Sequence, residues 1–194
     1  MFLLINELIG RTIWWAWGLP YRLQIVLLVF IAACVALLLH ELAHGLVAYA
    51  VGVRPYSITL GGGPVLYRGT IGGCAVRLGA LPIHGEVRFR DEDAHLLGYR
   101  NVGREDWSFE WAPGSWRAPL ITAAGGLANL LAAGAVVAYW AWMPRLTPPT
   151  FALFAMCLVV NLMMVLNLMP IRGLDGGRLV VHTAALRRQL AAGA

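Results

Sequence analysis

The chain has 194 residues, 59% of them hydrophobic and 13% charged, and its mean hydropathy is +0.68. That balance excludes an ordinary soluble domain and implies a membrane protein. All 15 cationic residues are arginines and the net charge is +5, yet no ladder of interleaved aromatic and basic residues accompanies them, so anionic headgroups and not nucleic acid are the expected partner.

Residues 1–22 are expected to be retained as an N-terminal interfacial or short membrane helix. Glu7 and Arg11 interrupt the apolar run, Trp14, Trp15 and Trp17 suit an interface, and no small-residue cleavage site is present. Residues 23–50 form the first stretch long enough to cross a hydrocarbon core, which takes about 20 apolar residues. Segment 51–117 is polar by comparison. Its first half alternates like strands, in YSITLGGGPVLYR and CAVRLGALPIHGEVRF, with Gly and Pro between them, and predicts a small sheet or hairpin region. Its second half, RDEDAHLLGYRNVGREDWSFEWAPGSW, is charged and aperiodic and reads as a loop. A second span is predicted at 118–143, a short loop at 144–150, a third span at 151–171, and an LDGG loop with a short C-terminal helix at 172–194.

The predicted fold is therefore a polytopic α-helical membrane protein with three core transmembrane helices and an inserted β-region. Eight arginines fall in segment 51–117 and four after residue 171, against three on the other side (Arg11, Arg22 and Arg145), which places the β-region and the C-terminus on the cytoplasmic side. An integral protein of a prokaryotic inner membrane is the compositional expectation. Cys34, Cys74 and Cys157 are odd in number and far apart, which argues against a disulfide framework and against a CxxC metal site.

The stretch LLLHELAHGLVAYA, residues 37–50, carries two histidines and a glutamate inside an apolar run, where ionisable groups are costly and functional by default. On a helix His40 and His44 lie one turn apart on one face, so both imidazoles can reach one ion with Glu41 beside it. Zinc favours such nitrogen ligands, and the glutamate is placed to take a proton from water as it attacks a carbonyl. Two histidines are insufficient. The best candidate for the third ligand is Asp175 in NLMPIRGLDGGR, aimed back into the protein from an extended loop that Pro170 and the following glycines permit, while His84, His95 and His182 compete for the role. Asn129, about 11 residues into the second span, lies deep enough to want a hydrogen-bond partner, and Asn161 reads as a bond between helices.

HELAH, Asn129 in AAGGLANLL, the strand region ending ALPIHGEVRF, and NLMPIRGLDGG together resemble the motifs of the site-2 protease family of intramembrane zinc metalloproteases, from about residue 35 to 180. The resemblance implies zinc held by His40, His44 and Asp175, Glu41 as the general base, and substrate-backbone binding by Asn129, with Asn167 belonging to the same motif as Asp175. The implied partners are a transmembrane protein or peptide substrate and the lipid bilayer. This sequence departs from the family at Gly126, where proline is usual, and at His84 and Glu86, which interrupt PIHGEV. No PDZ domain is recognisable.

A peptide bond in a transmembrane helix is shielded until the helix unwinds, so strands around 72–90 are expected to offer an edge on which an unwound substrate can pair, with proline at Val76 or Leu78 as the disruptive change. Two other classes compete. A catalytically idle zinc-binding scaffold would not need Glu41, and a transporter would be hard to build from three spans without a repeat.

Overall fold

The computed structural model describes residues 18–89, 115–142 and 146–192, together with Leu4, Glu7, Leu8 and Arg11. The expected loop over 90–116 lies almost wholly outside the described residues, and His95 with it. In chain order the elements are α1 (Tyr21–Ala50), β1 (Pro55–Ile71), β2 (Cys74–Phe89), α2 (Arg117–Trp142), α3 (Pro148–Val165), a 3-10 turn at Leu166–Leu168, and α4 (Asp175–Ala192). Among the described residues, three helices are long and apolar enough to cross a membrane: Tyr21–Ala50, Arg117–Trp142 and Pro148–Leu168. At the N-terminus, Glu7 and Arg11 form an exposed ion pair across one helical turn.

Pro20 precedes α1, and the Gln24 side chain donates back to the Leu19 carbonyl at 2.7 Å. Thirty residues give α1 a length of ~45 Å against a hydrocarbon core of ~30 Å, so the helix tilts or one end projects. Its buried residues recur at helical spacing: Leu28, Ala32, Ala36, Leu37, His40, Glu41, His44, Gly45 and Ala48. Small residues along this stripe let other backbones come close, which is how helices associate where lipid supplies no hydrophobic drive. The facing stripe of α2 is equally small, with Ala118, Ala124, Gly125, Gly126, Asn129 and Ala133 buried. α3 starts on a Thr147 side chain that accepts from the Thr150 amide, followed by Pro148 and Pro149, so it begins a few residues before the expected 151. The three spans pack on one another, and α4 packs on α2.

The sheet is more folded than two strands suggest. Ser57 to Leu60 pair on one side with Arg88 to Gly85, running the opposite way, and on the other with Ala75 to Leu78. The far end of β1, Tyr67 to Ile71, pairs with Leu78 to Cys74. Each strand therefore bends back, and the sheet is four segments wide. The bend needs bare backbone: at Gly61, with φ +78°, an added Cβ would sit 2.9 Å from the Gly79 carbonyl oxygen. One face of the sheet rests on α1, where Ile58 Cδ1 lies 3.3 Å from the position of a Cβ at Gly45. Where the helices end, Ala48, Val53, Ala118 and Ile121 form a small buried cluster joined by Phe89 of β2. Arg117 Nε donates to the Val51 carbonyl at 3.0 Å and ties the end of α1 to the start of α2.

Candidate metal centre

His40, Glu41 and His44 lie on the buried stripe of α1, exposed by only 2%, 7% and 8%. One turn of helix sets the two imidazoles edge to face with ring centroids 4.8 Å apart. Asp175 is brought to them from 135 residues away: its Oδ2 is 3.0 Å from His40 Nε2 and 3.4 Å from His44 Nε2. It arrives differently from expected. Asp175 is the first residue of α4 and not part of an extended loop. A carboxylate is favoured in a first turn because the unpaired amides and the helix dipole are positive there, which offsets the poor helix propensity of the two glycines that follow. Those glycines are required: a Cβ at Gly177 would meet the Ile171 carbonyl, and one at Gly176 the Leu168 carbonyl.

The far sides of both rings settle their protonation. His44 Nδ1 is 2.6 Å from the Ile121 carbonyl oxygen, which only accepts, so Nδ1 carries the proton. His40 Nδ1 donates to Asn129 Oδ1 at 2.7 Å. The orientation of that amide is fixed in turn, because Asn129 Nδ2 donates to the Ala36 carbonyl at 3.0 Å and to Asn161 Oδ1 at 2.8 Å. Asn161 Nδ2 donates to the Cys157 carbonyl at 2.7 Å. Backbone carbonyls at the ends of this chain thus dictate that both Nε2 atoms turn their lone pairs toward Asp175.

Two imidazole nitrogens and a carboxylate oxygen lie within 4.8 Å of one another, and among the described residues this is the group able to hold a metal ion. Ligand atoms sharing one tetrahedral zinc at ~2.0–2.1 Å sit about 3.3 Å apart, close to the separations from Asp175 to each histidine. The donor chemistry fits zinc as well, with neutral nitrogens whose outer N–H groups are held by acceptors.

The other expected site residues fall as follows. Glu41 shares the buried stripe, and its carboxylate rests against the backbone of Gly85 in β2, where any Cβ would collide with it. Asn129 is fully buried behind His40 with both amide hydrogens engaged, so it has no vacant donor. Asn167 lies half-buried in the 3-10 turn, outside that hydrogen-bond chain. His84 is exposed on β2, next to the Gly85 that touches Glu41, and His182 is buried on α4; neither belongs to the metal group.

Sequence reasoning did not nominate Gly125, although a Cβ there would come 2.7 Å from His40 Nε2. The close approach of α2 to the histidines depends on that missing methyl. The paired glycines in AAGGLANLL were the available signal, and glycine in a membrane helix has too many uses to single them out. Nor did it find the Ile121 carbonyl, which carries no mark in a sequence.

Residues 27–146 match the profile of Peptidase family M50. A Chlamydia pneumoniae protein provisionally named a zinc metalloprotease is 39% identical over 114 residues, covering 54% of this chain and 18% of the relative. A Chlamydia trachomatis protein with the same provisional name is 37% identical over the same extent. The chain matches about a fifth of the length of these relatives. The family match ends before Asp175, whose place in the site rests on its geometry.

Proposed function

Because the chain belongs to Peptidase family M50, we propose that it is an intramembrane zinc endopeptidase of the site-2 protease type, hydrolysing peptide bonds in or near transmembrane segments of membrane proteins. Its cofactor is zinc. The observation that carries the reading is the convergence of His40 Nε2, His44 Nε2 and Asp175 Oδ2 beside Glu41 on a buried helix face. These three residues would hold the ion. Zinc, when bound, supplies Lewis-acid polarisation of the scissile carbonyl and makes water more acidic. Glu41 accepts a proton from the attacking water as the new C–O bond forms, then delivers it to the amide nitrogen as the C–N bond breaks. Asn129 keeps the His40 ring in one tautomer, a role its saturated amide supports better than contact with the substrate backbone. Asn167, near the Asp175 helix, is assigned to the substrate backbone.

An unwound substrate needs partners for its freed amides, and the β2 segment around Gly85 supports such a role. Residues 85–88 pair with β1 on one side, and Gly85 touches Glu41. Val76 and Leu78 are the wrong places to test this, because each has partners on both sides, Val76 with Ile58 and Gly69, Leu78 with Leu60 and Tyr67. Proline there breaks the sheet itself. Proline stepped through 84–87 would instead remove outward donors at every second position. The arginine distribution supports an orientation in which this end of the bundle faces the cytoplasm.

Zinc content of detergent-purified protein is the first test. About one zinc per chain is expected in wild type and in Glu41→Gln, little in His44→Ala and Asp175→Ala, and cleavage of a transmembrane substrate only in wild type. Full loading of Asp175→Ala would remove it from the ligand set.

A further inference from the structure

The sheet has a second face. Opposite residues on paired strands point to the same side, and neighbours along a strand point to opposite sides. Ile58, Leu60, Gly85 and Val87 belong to the face that rests on α1. Thr59, Arg68, Arg77 and Glu86 therefore form one row across the other face, through the pairs Arg68 with Arg77, Arg77 with Thr59, and Thr59 with Glu86. Arg88, two residues beyond Glu86, lies on the same face and takes that carboxylate at 2.9 Å. The row is left with two arginines side by side. Neither makes an ion pair among the described residues, and Arg77 Nε is buried without an acceptor. Like charges directly opposite are unfavourable, and a buried guanidinium donor without a partner is more so, hence this arrangement calls for an anion.

The position of the sheet says which anion. β1 begins five residues after the end of α1. The neighbouring span opens with Arg117, whose guanidinium lies 5.1 Å over the ring of Trp116 and bonds to the Val51 carbonyl. An aromatic and an arginine at adjacent span ends mark the level where hydrocarbon gives way to headgroups. The guanidinium fork matches phosphate oxygens two at a time, better than any other cation the chain could have used. We propose that the face bearing Arg68 and Arg77 binds the phosphate of an anionic phospholipid headgroup. This rests on the membrane reading and is independent of peptidase activity.

The test is thermal unfolding of the full chain in micelles doped with phosphatidylglycerol or, separately, phosphatidylcholine. Phosphatidylglycerol is expected to raise the midpoint of wild type by several degrees over phosphatidylcholine. Arg68→Gln/Arg77→Gln should lose at least half of that gap, whereas Arg187→Gln/Arg188→Gln, exposed on α4, should keep it. If the double variant does not fold, Arg68→Gln alone carries the comparison, since Arg68 is exposed. An undiminished gap in the arginine variants overturns the proposal. So does inorganic phosphate raising the wild-type midpoint as far as the lipid does, which would make the site one for a free anion. A poly-glutamate peptide that matches the lipid in wild type and fails on the variant would reassign the face to acidic protein segments.

Discussion

Replacing Asn129 with leucine removes three hydrogen bonds from a side chain that is 0% exposed, while keeping its branched shape. The bond from His40 Nδ1, at 2.7 Å, is the one that matters for the metal. Two further groups, the Ala36 carbonyl and Asn161 Oδ1, lose their donor. The carbonyl keeps its own helical bond, so the cost falls mainly on the His40 N–H and the Asn161 oxygen, at about 1–3 kcal/mol each. Stability should drop by ~2–6 kcal/mol. Loss of the partner that orients a ligating histidine weakens metal binding by about 10- to 100-fold, or ~1.4–2.7 kcal/mol. Competition for zinc against a chromophoric chelator reads this directly and needs no substrate. If Asn129 instead contacts the substrate, the leucine variant will hold zinc as tightly as wild type and show only a raised KM. Zinc affinity within about twofold of wild type would therefore refute the positioning argument.

Glu41→Gln should retain its zinc and its fold while cleavage falls by ~10²–10⁴-fold or more; turnover near the wild-type rate would remove Glu41 from proton transfer. Gly125→Ala places a methyl 2.7 Å from His40 Nε2, so it should cost ~1–3 kcal/mol in stability and reduce zinc content, both measurable on purified protein. Normal zinc with unchanged stability would show that α2 can shift without disturbing the site. His182 is pushed down to about 4 by burial and by the nearby Arg178 charge. The unfolded chain takes up this proton below pH ~6.5 and the folded one only near 4, so the contribution is intact above ~6.5 and lost as pH falls toward 4, by at most ~3 kcal/mol. Unfolding midpoints from pH 4 to 8 should accordingly fall less steeply in His182→Gln than in wild type, and parallel curves would contradict the assignment.

The histidine pair could be read in advance because spacing along one helix is a local property, and HELAH fixes which side chains share a face. Asp175 could be nominated but not placed. Pro170, Gly173 and the two glycines after it suggest a loop, yet Gly176 and Gly177 belong to the first turn of a helix that packs closely on the Leu168 and Ile171 carbonyls. The case of Asn129 is harder. Its depth was legible, but whether its amide meets a substrate or a histidine depends on its azimuth relative to α1, 89 residues earlier. Alternation announced the two strands, and nothing in it announced that Ser57 to Leu60 would be flanked on both sides, because that follows from the crossing at Gly61 and Gly79.

The separation of the metal group along the chain also has a bearing on its synthesis. His40 emerges 135 residues before Asp175. At ~5–20 residues per second, roughly 7–27 s pass before the last of the three can join the first. The acceptors come sooner, since the Ile121 carbonyl follows His44 by 77 residues and Asn129 follows His40 by 89, so both imidazoles can be held by their outer nitrogens before the carboxylate exists. Until α4 is made the group has two of its three ligands, so a complete metal site cannot form on this chain before nearly all of it has been synthesised.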